Sequence, residues 1–124
     1  MKPITLKGRV EENNEPSSTI GCTVATIAIG QGAIIPAQGV YFSETEFSGK
    51  KFNSISWINN GRDGKTLRLE VHLLDLSEDL SNKFIYVTLL KKVRDIISFP
   101  GDEEMKRIIE FDLGEAREWF ENGD

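Results

Sequence analysis

The sequence predicts an α+β domain: a mostly antiparallel β-sheet of about seven strands, arranged as a sandwich or partly open barrel, with one C-terminal amphipathic helix. Three observations predict it. The stretch 16–43, PSSTIGCTVATIAIGQGAIIPAQGVYFS, holds no Asp, Glu, Lys, Arg or His, so every charge lies outside what reads as a buried, extended middle. Several short segments alternate apolar and polar residues, as half-buried strands do. Near the C-terminus a capping pattern precedes apolar residues at helical spacing. At 124 residues the chain reads as a single β-rich domain, 1–124, long enough to bury a core without disulfide or metal staples.

Taken in order, Ile4, Leu6 and Val10 oppose Thr5, Lys7 and Arg9, a half-buried strand in which Gly8 marks a bulge or a close approach. Residues 11–18 are polar turn material. Ile20–Ile29 is apolar and β-branched on both faces, as a strand covered on both sides would be. Gly30-Gln31-Gly32 turns the chain into Ala33–Ile35, where Pro36 limits pairing, and Val40–Phe42 is a further short strand. Glu44–Lys51 reads as a charged loop. Phe52–Ile58 alternates, with Ile55 and Trp57 opposite Ser54 and Ser56. The Asn-Gly and Asp-Gly pairs within 59–64 suit a hairpin turn. Thr66–Leu73 is the cleanest strand: Leu67, Leu69, Val71 and Leu73 face in, while Arg68, Glu70 and His72 face out. Phe84–Leu90 is another.

The C-terminal third allows two readings. Pro100-Gly101 fits the centre of a type II turn joining Asp95–Phe99 to Lys106–Phe111 as a hairpin. Alternatively Asp102 caps a helix running to Phe111. The hairpin is preferred because Ile108, Ile109 and Phe111 leave both faces partly apolar. After it, Asp112 and Glu115 match the N-cap and N3 positions of a capping box, and Ala116, Trp119 and Phe120 form a helical stripe ending near Asn122-Gly123.

Charge is unevenly placed. The segment 102–124 holds nine acids and three bases, a net of −6, whereas the whole chain carries −5. Such asymmetry points to an acidic end that meets a basic partner.

The inventory excludes most chemistry. One His and one Cys, fifty positions apart, give no metal-ligand spacing, so no metal and no cofactor is called for. His72 with Asp75 and a serine would make a triad only if His72 left the exposed face of its strand. Cys22 lies in the apolar stretch, where a thiol is unreactive. Gly30-Gln31-Gly32-Ala33 lacks the third glycine of a dinucleotide loop and the Lys of a P-loop. The chain therefore reads as no enzyme.

The expected function is a non-enzymatic inhibitor or neutraliser of the immunity, antitoxin or anti-defence type. It would bind a basic protein, a nuclease or another nucleic-acid-handling protein, through Glu110, Asp112, Glu115, Glu118 and Glu121 around the Trp119 anchor. A second reading is a small barrel that binds single-stranded nucleic acid or nucleotides through Lys50, Lys51, Trp57, Arg62, Lys65 and Arg68. A third is a structural or oligomer-forming subunit that uses the uncharged stretch as its interface. Gly and Pro interrupt that stretch and no basic cluster flanks it, so no membrane span is expected. Without a secretory signal or a disulfide pair, the cytoplasm is the expected location.

Overall fold

The computed structural model describes residues 4–11, 23–28, 37–60, 67–74, 80–95 and 101–122. Six strands, β1 (Ile4–Arg9), β2 (Thr23–Ala28), β3 (Gly39–Phe47), β4 (Lys50–Asn60), β5 (Leu67–Leu73) and β6 (Phe84–Arg94), precede one helix, α1 (Asp102–Glu121). All six form one antiparallel sheet in the order β1-β6-β3-β4-β5-β2. The sheet curls until its edges meet. An added Cβ on Gly8 of β1 would lie 3.5 Å from Ile27 of β2, and Glu11 N–H donates to the Thr26 carbonyl at 2.8 Å. Gly8 is therefore a close approach that brings a nearly closed barrel together, not a bulge.

The alternation read from the sequence decides what fills the barrel. Leu6, Ala25, Ile27, Ile58, Leu69, Val71, Leu73, Ile85, Val87 and Leu89 point inward and are buried. Ser43, Thr45, Ser54 and Ser56 also point inward, fully buried. Their hydroxyls bond one another: Ser43 to Ser54 at 2.7 Å, Ser43 to Ser56 at 2.7 Å and Thr45 to Ser54 at 2.9 Å. A buried hydroxyl without a partner is costly, so this ladder is what allows four polar side chains in a dry interior.

The outward residues of β3 and β4 form a second core. Val40, Phe42, Ile55 and Trp57 are covered by Leu113 and Ala116 of α1, with Met105, Ile108, Ile109, Trp119 and Phe120 packed around them. The rings of Phe42 and Trp119 lie 5.0 Å apart. So Ile55 and Trp57 are buried by the helix, and their serine neighbours are buried by the barrel.

The structure corrects two local expectations. Glu44–Lys51 is not a loop: β3 and β4 pair through to Phe47↔Lys50, leaving only Ser48 and Gly49 as the turn. Both have positive φ, 52° and 77°, the geometry that matches the twist of a two-residue hairpin. Nor is 95–111 a hairpin, since Asp102–Glu121 is one helix entered at Gly101. Met105, Ile108, Ile109, Leu113, Ala116 and Phe120 make a continuous helical stripe, and Asp112 falls within it. A carboxylate in an apolar stripe looks like a helix start. Here it is a buried mid-helix residue, 5% exposed and paired with Arg94. The expected strand at 33–35 and the turn at 59–64 lie wholly or largely outside the described residues.

Candidate functional site

One cross-strand row on the outer face of the barrel gathers the chemically competent side chains. Thr26 of β2 lies opposite Glu70 of β5, Glu70 opposite Trp57 of β4, Trp57 opposite Val40 of β3, and Val40 opposite Arg94 of β6. Directly opposed residues on one face are in side-chain reach, so the row places the Glu70 carboxylate between a hydroxyl and an indole.

Glu70 is half-buried, and His72 beside it is 2% exposed, covered on the outer face and packed against the Trp57 ring at 6.1 Å between centroids. His72 Nε2 lies 3.1 Å from Glu70 Oε1. An ionised carboxylate only accepts, so Nε2 must carry the proton in this bond. The hydrogen bond from His72, joined by its charge when protonated, holds the Glu70 carboxyl below its ordinary value, against an opposing push from burial. At neutral pH Glu70 is an ionised acceptor with one oxygen engaged by His72.

The far end of the row is held by an ion pair. Arg94 Nη2 and Nε donate to Asp112 at 2.6 and 3.4 Å, and Nη1 donates to the Asp95 carbonyl at 3.2 Å. Its guanidinium lies over Trp57, 5.2 Å from the ring centroid. Beyond Arg94 opens a cleft of about 490 Å³, lined by Arg94, Glu104, Arg107, Ile108, Phe111 and Asp112. Phe111 is 66% exposed there, unusual for a large apolar side chain on a packed helix.

The residues singled out from the sequence are scattered differently. Glu110, Glu115, Glu118 and Glu121 are exposed on α1, as expected of a solvated face. Asp112 is not among them, being buried against Arg94, and Trp119 is half-buried against Phe42. Of the basic set, Lys50 and Lys51 sit exposed at the β3–β4 hairpin, seven and six residues along β4 from Trp57. Trp57 is only 6% exposed, leaving no open ring face for a base, and Arg68 pairs with Glu11. Arg62 and Lys65 lie outside the described residues. The structure thus assembles no basic aromatic patch from the described members of that set.

Glu70, Thr26 and Arg94 were missed. Glu70 and His72 were correctly placed on the outward face of β5, but an outward face was read as solvent. The neighbouring strands, with the Trp57 ring packed beside it, cover it enough to bury His72. The available signal was the one histidine lying two residues from a glutamate on the same face of the most regular strand.

Comparison with known proteins gives this constellation a context. The sequence pattern of the family described as "Flavokinase: Riboflavin kinase" matches residues 1–120. The bifunctional riboflavin kinase/FMN adenylyltransferase of Haemophilus influenzae is 33% identical over 96% of this chain and 39% of that protein. The chain thus spans about two fifths of the length of that relative. Among solved structures, a chain described as a macrolide-efflux protein from Streptococcus pneumoniae superimposes with a TM-score of 0.80 at 25% identity, over 94% of this chain and 39% of that one. Riboflavin kinase from Trypanosoma brucei superimposes with a TM-score of 0.65 at 18% identity, over 99% of this chain and 83% of that one, a likeness of fold. Among the described residues no helix is long and apolar enough to cross a membrane.

These matches overturn the expectation of a non-enzymatic inhibitor, immunity protein or antitoxin. That expectation read the absence of a recognised catalytic motif as the absence of catalysis. Catalysis that works by positioning needs few reactive side chains, so a missing motif does not exclude it. With the family pattern matching nearly the whole of it, the chain belongs to the riboflavin kinase family.

Proposed function

We propose that this chain phosphorylates riboflavin, with Glu70 as the base that takes the proton from the attacking hydroxyl. The observation that carries the reading is the placement of Glu70: a half-buried carboxylate with one oxygen 3.1 Å from His72 Nε2, set in a row with Thr26 and Trp57. In phosphoryl transfer most of the catalysis is positioning and charge neutralisation, and one positioned carboxylate suffices to accept the proton. The hydroxyl oxygen of riboflavin bonds to the terminal phosphorus of a nucleoside triphosphate. The bond from that phosphorus to the bridging oxygen breaks, the nucleoside diphosphate leaves, and the hydroxyl proton passes to Glu70.

The small hard cation that accompanies such nucleotides takes most of its ligands from water and the phosphates; among the described residues no group of three His, Cys, Asp or Glu side chains is placed to hold it. Mg²⁺ entering with the nucleotide would neutralise phosphate charge; the chain's own residues orient the hydroxyl and remove its proton.

The test is conversion of riboflavin to its phosphate with ATP and Mg²⁺, followed by chromatography with fluorescence detection. Glu70→Gln keeps the shape of the side chain and removes the base, and turnover should fall about 10²–10⁴-fold. Absence of conversion by the unaltered chain, or full turnover by Glu70→Gln, would overturn the reading.

A further inference from the structure

Strand β6 carries two irregularities that act on the site. Up to Leu89 its pairing with β3 is regular, from Glu46↔Tyr86 to Ser43↔Leu89. Phe42 then pairs with Lys91 and Val40 with Arg94, so Leu90 and Val93 are each left out of the ladder. Carried on without these bulges, the pairing would set Arg94 opposite Gln38, two residues or about 7 Å past Val40. The bulges hold Arg94 in the row of Trp57. Gly39 permits the close fit, since an added Cβ there would meet the Arg94 carbonyl at 2.9 Å and the Lys92 side chain at 2.7 Å. Bulges beside functional sites commonly re-aim one side chain.

From Arg94 an unbroken series of contacts leads to the base. Asp112 on α1 receives Arg94 at 2.6 Å; Arg94 lies over Trp57 at 5.2 Å; Trp57 packs on His72 at 6.1 Å; His72 reaches Glu70 at 3.1 Å. Each link restrains the next. All three guanidinium nitrogens have acceptors, which fixes the plane that covers the indole. The indole borders the imidazole, which must keep its Nε2 aimed at the carboxylate.

We infer that Arg94 is a positioning residue for phosphoryl transfer: clamped by Asp112, it holds Trp57 and through it His72, so that helix α1 sets the orientation of Glu70. This rests on Glu70 being the base. Among the described residues, the charged or titratable groups around Glu70 are Arg68 with its partner Glu11, His72 on the same strand, and the Arg94–Asp112 pair from β6 and α1. Opposite Glu70, β2 and β4 present Thr26 and Trp57. Arg94 therefore acts on Glu70 through packing and not by direct contact.

The experiment is the pH dependence of kcat/KM for riboflavin in Arg94→Met, Arg94→Lys and Asp112→Asn, with Phe120→Leu as a control that weakens the same helix away from the series. Loosening His72 weakens the hydrogen bond that lowers the Glu70 pKa, so the acid limb of the profile should move to higher pH in Arg94→Met and Asp112→Asn. kcat should fall at least tenfold with a smaller change in KM, and Arg94→Lys should recover only part of it. Phe120→Leu should lower Tm and leave the limb where it is. An unmoved limb in folded Arg94→Lys and Asp112→Asn, or the same movement in Phe120→Leu, would overturn the inference. Loss of the base reading would show instead as full activity in Glu70→Gln, whatever the Arg94 variants do.

Discussion

The molecule has two cores, and they are built on opposite principles. The barrel interior is enclosed by six strands whose register is fixed by the ladder, so every inward residue meets neighbours that cannot approach further. The outer core is a sheet face roofed by one helix, whose contacts are broad rings and branched chains with one ion pair, Arg94 to Asp112, tying the helix to β6. The first is a nearly closed barrel, and the second is covered by the helix on one side, with Glu70 at the far end of the row still 40% exposed. The interior thus carries the candidate site on its outside, beside the helix.

If that contrast holds, cavity formation should cost more inside than outside. Leu69→Ala removes a fully buried side chain from the barrel, where collapse is prevented, and should cost about 4–5 kcal/mol. Leu113→Ala makes a similar deletion under α1, where the helix can settle, and should cost about 2–3 kcal/mol. Equal costs in denaturant unfolding would erase the distinction between the two cores.

How much of this was legible in the sequence follows the same division. The interior was readable because alternation in 4–10, 66–73 and 84–90 reports which residues face a closed barrel, and the α+β class followed. The outer core was not, because period two separates the faces of a strand without saying what covers either. Trp57 and His72 were accordingly taken as surface or ambiguous. Asp112 misled twice: with Glu115 it matched a capping box and so started a helix where α1 is already under way, and its charge placed it on an acidic face that it does not share. Its partner lies eighteen residues away, and no local pattern joins a carboxylate to an arginine brought into line by two bulges. The acidic balance of 102–124 was real, but it described the solvated side of the roof and not the chemistry beneath it.

A smaller effect sharpens the description of the interior. Ser43→Ala takes away the hydroxyl shared by Ser54 and Ser56 and should cost about 1–2 kcal/mol, read as a shifted unfolding midpoint with an unchanged slope. A neutral result would mean that the hydroxyl ladder contributes register without stability.

The smallest effect belongs to the outer face. Glu70 has a lowered pKa when folded, so its pairing with His72 contributes stability above the ordinary carboxylate pKa and loses it as pH falls through the lowered value. His72→Phe should flatten that acid-side slope by well under about 1 kcal/mol, since the Glu70 side chain is 40% exposed and screened. Stability measured from pH 7 down to pH 3 checks the sign; a steeper slope in His72→Phe would contradict it.

The two bulges of β6 also bear on how the length of this chain can vary. Leu90 and Val93 are both exposed apolar residues that the ladder passes over. Between Leu89 and Arg94 the strand therefore holds two residues more than its partner requires, a slack that lets a one-residue deletion be absorbed by flattening a bulge. Arg94 would keep its place beside Trp57. The same deletion in β4 or β5, which pair without irregularity across the site, would turn every later side chain to the other face. Tolerance to deletion should thus be concentrated in 90–93, and the row, more than the count of residues between its members, is what the fold preserves.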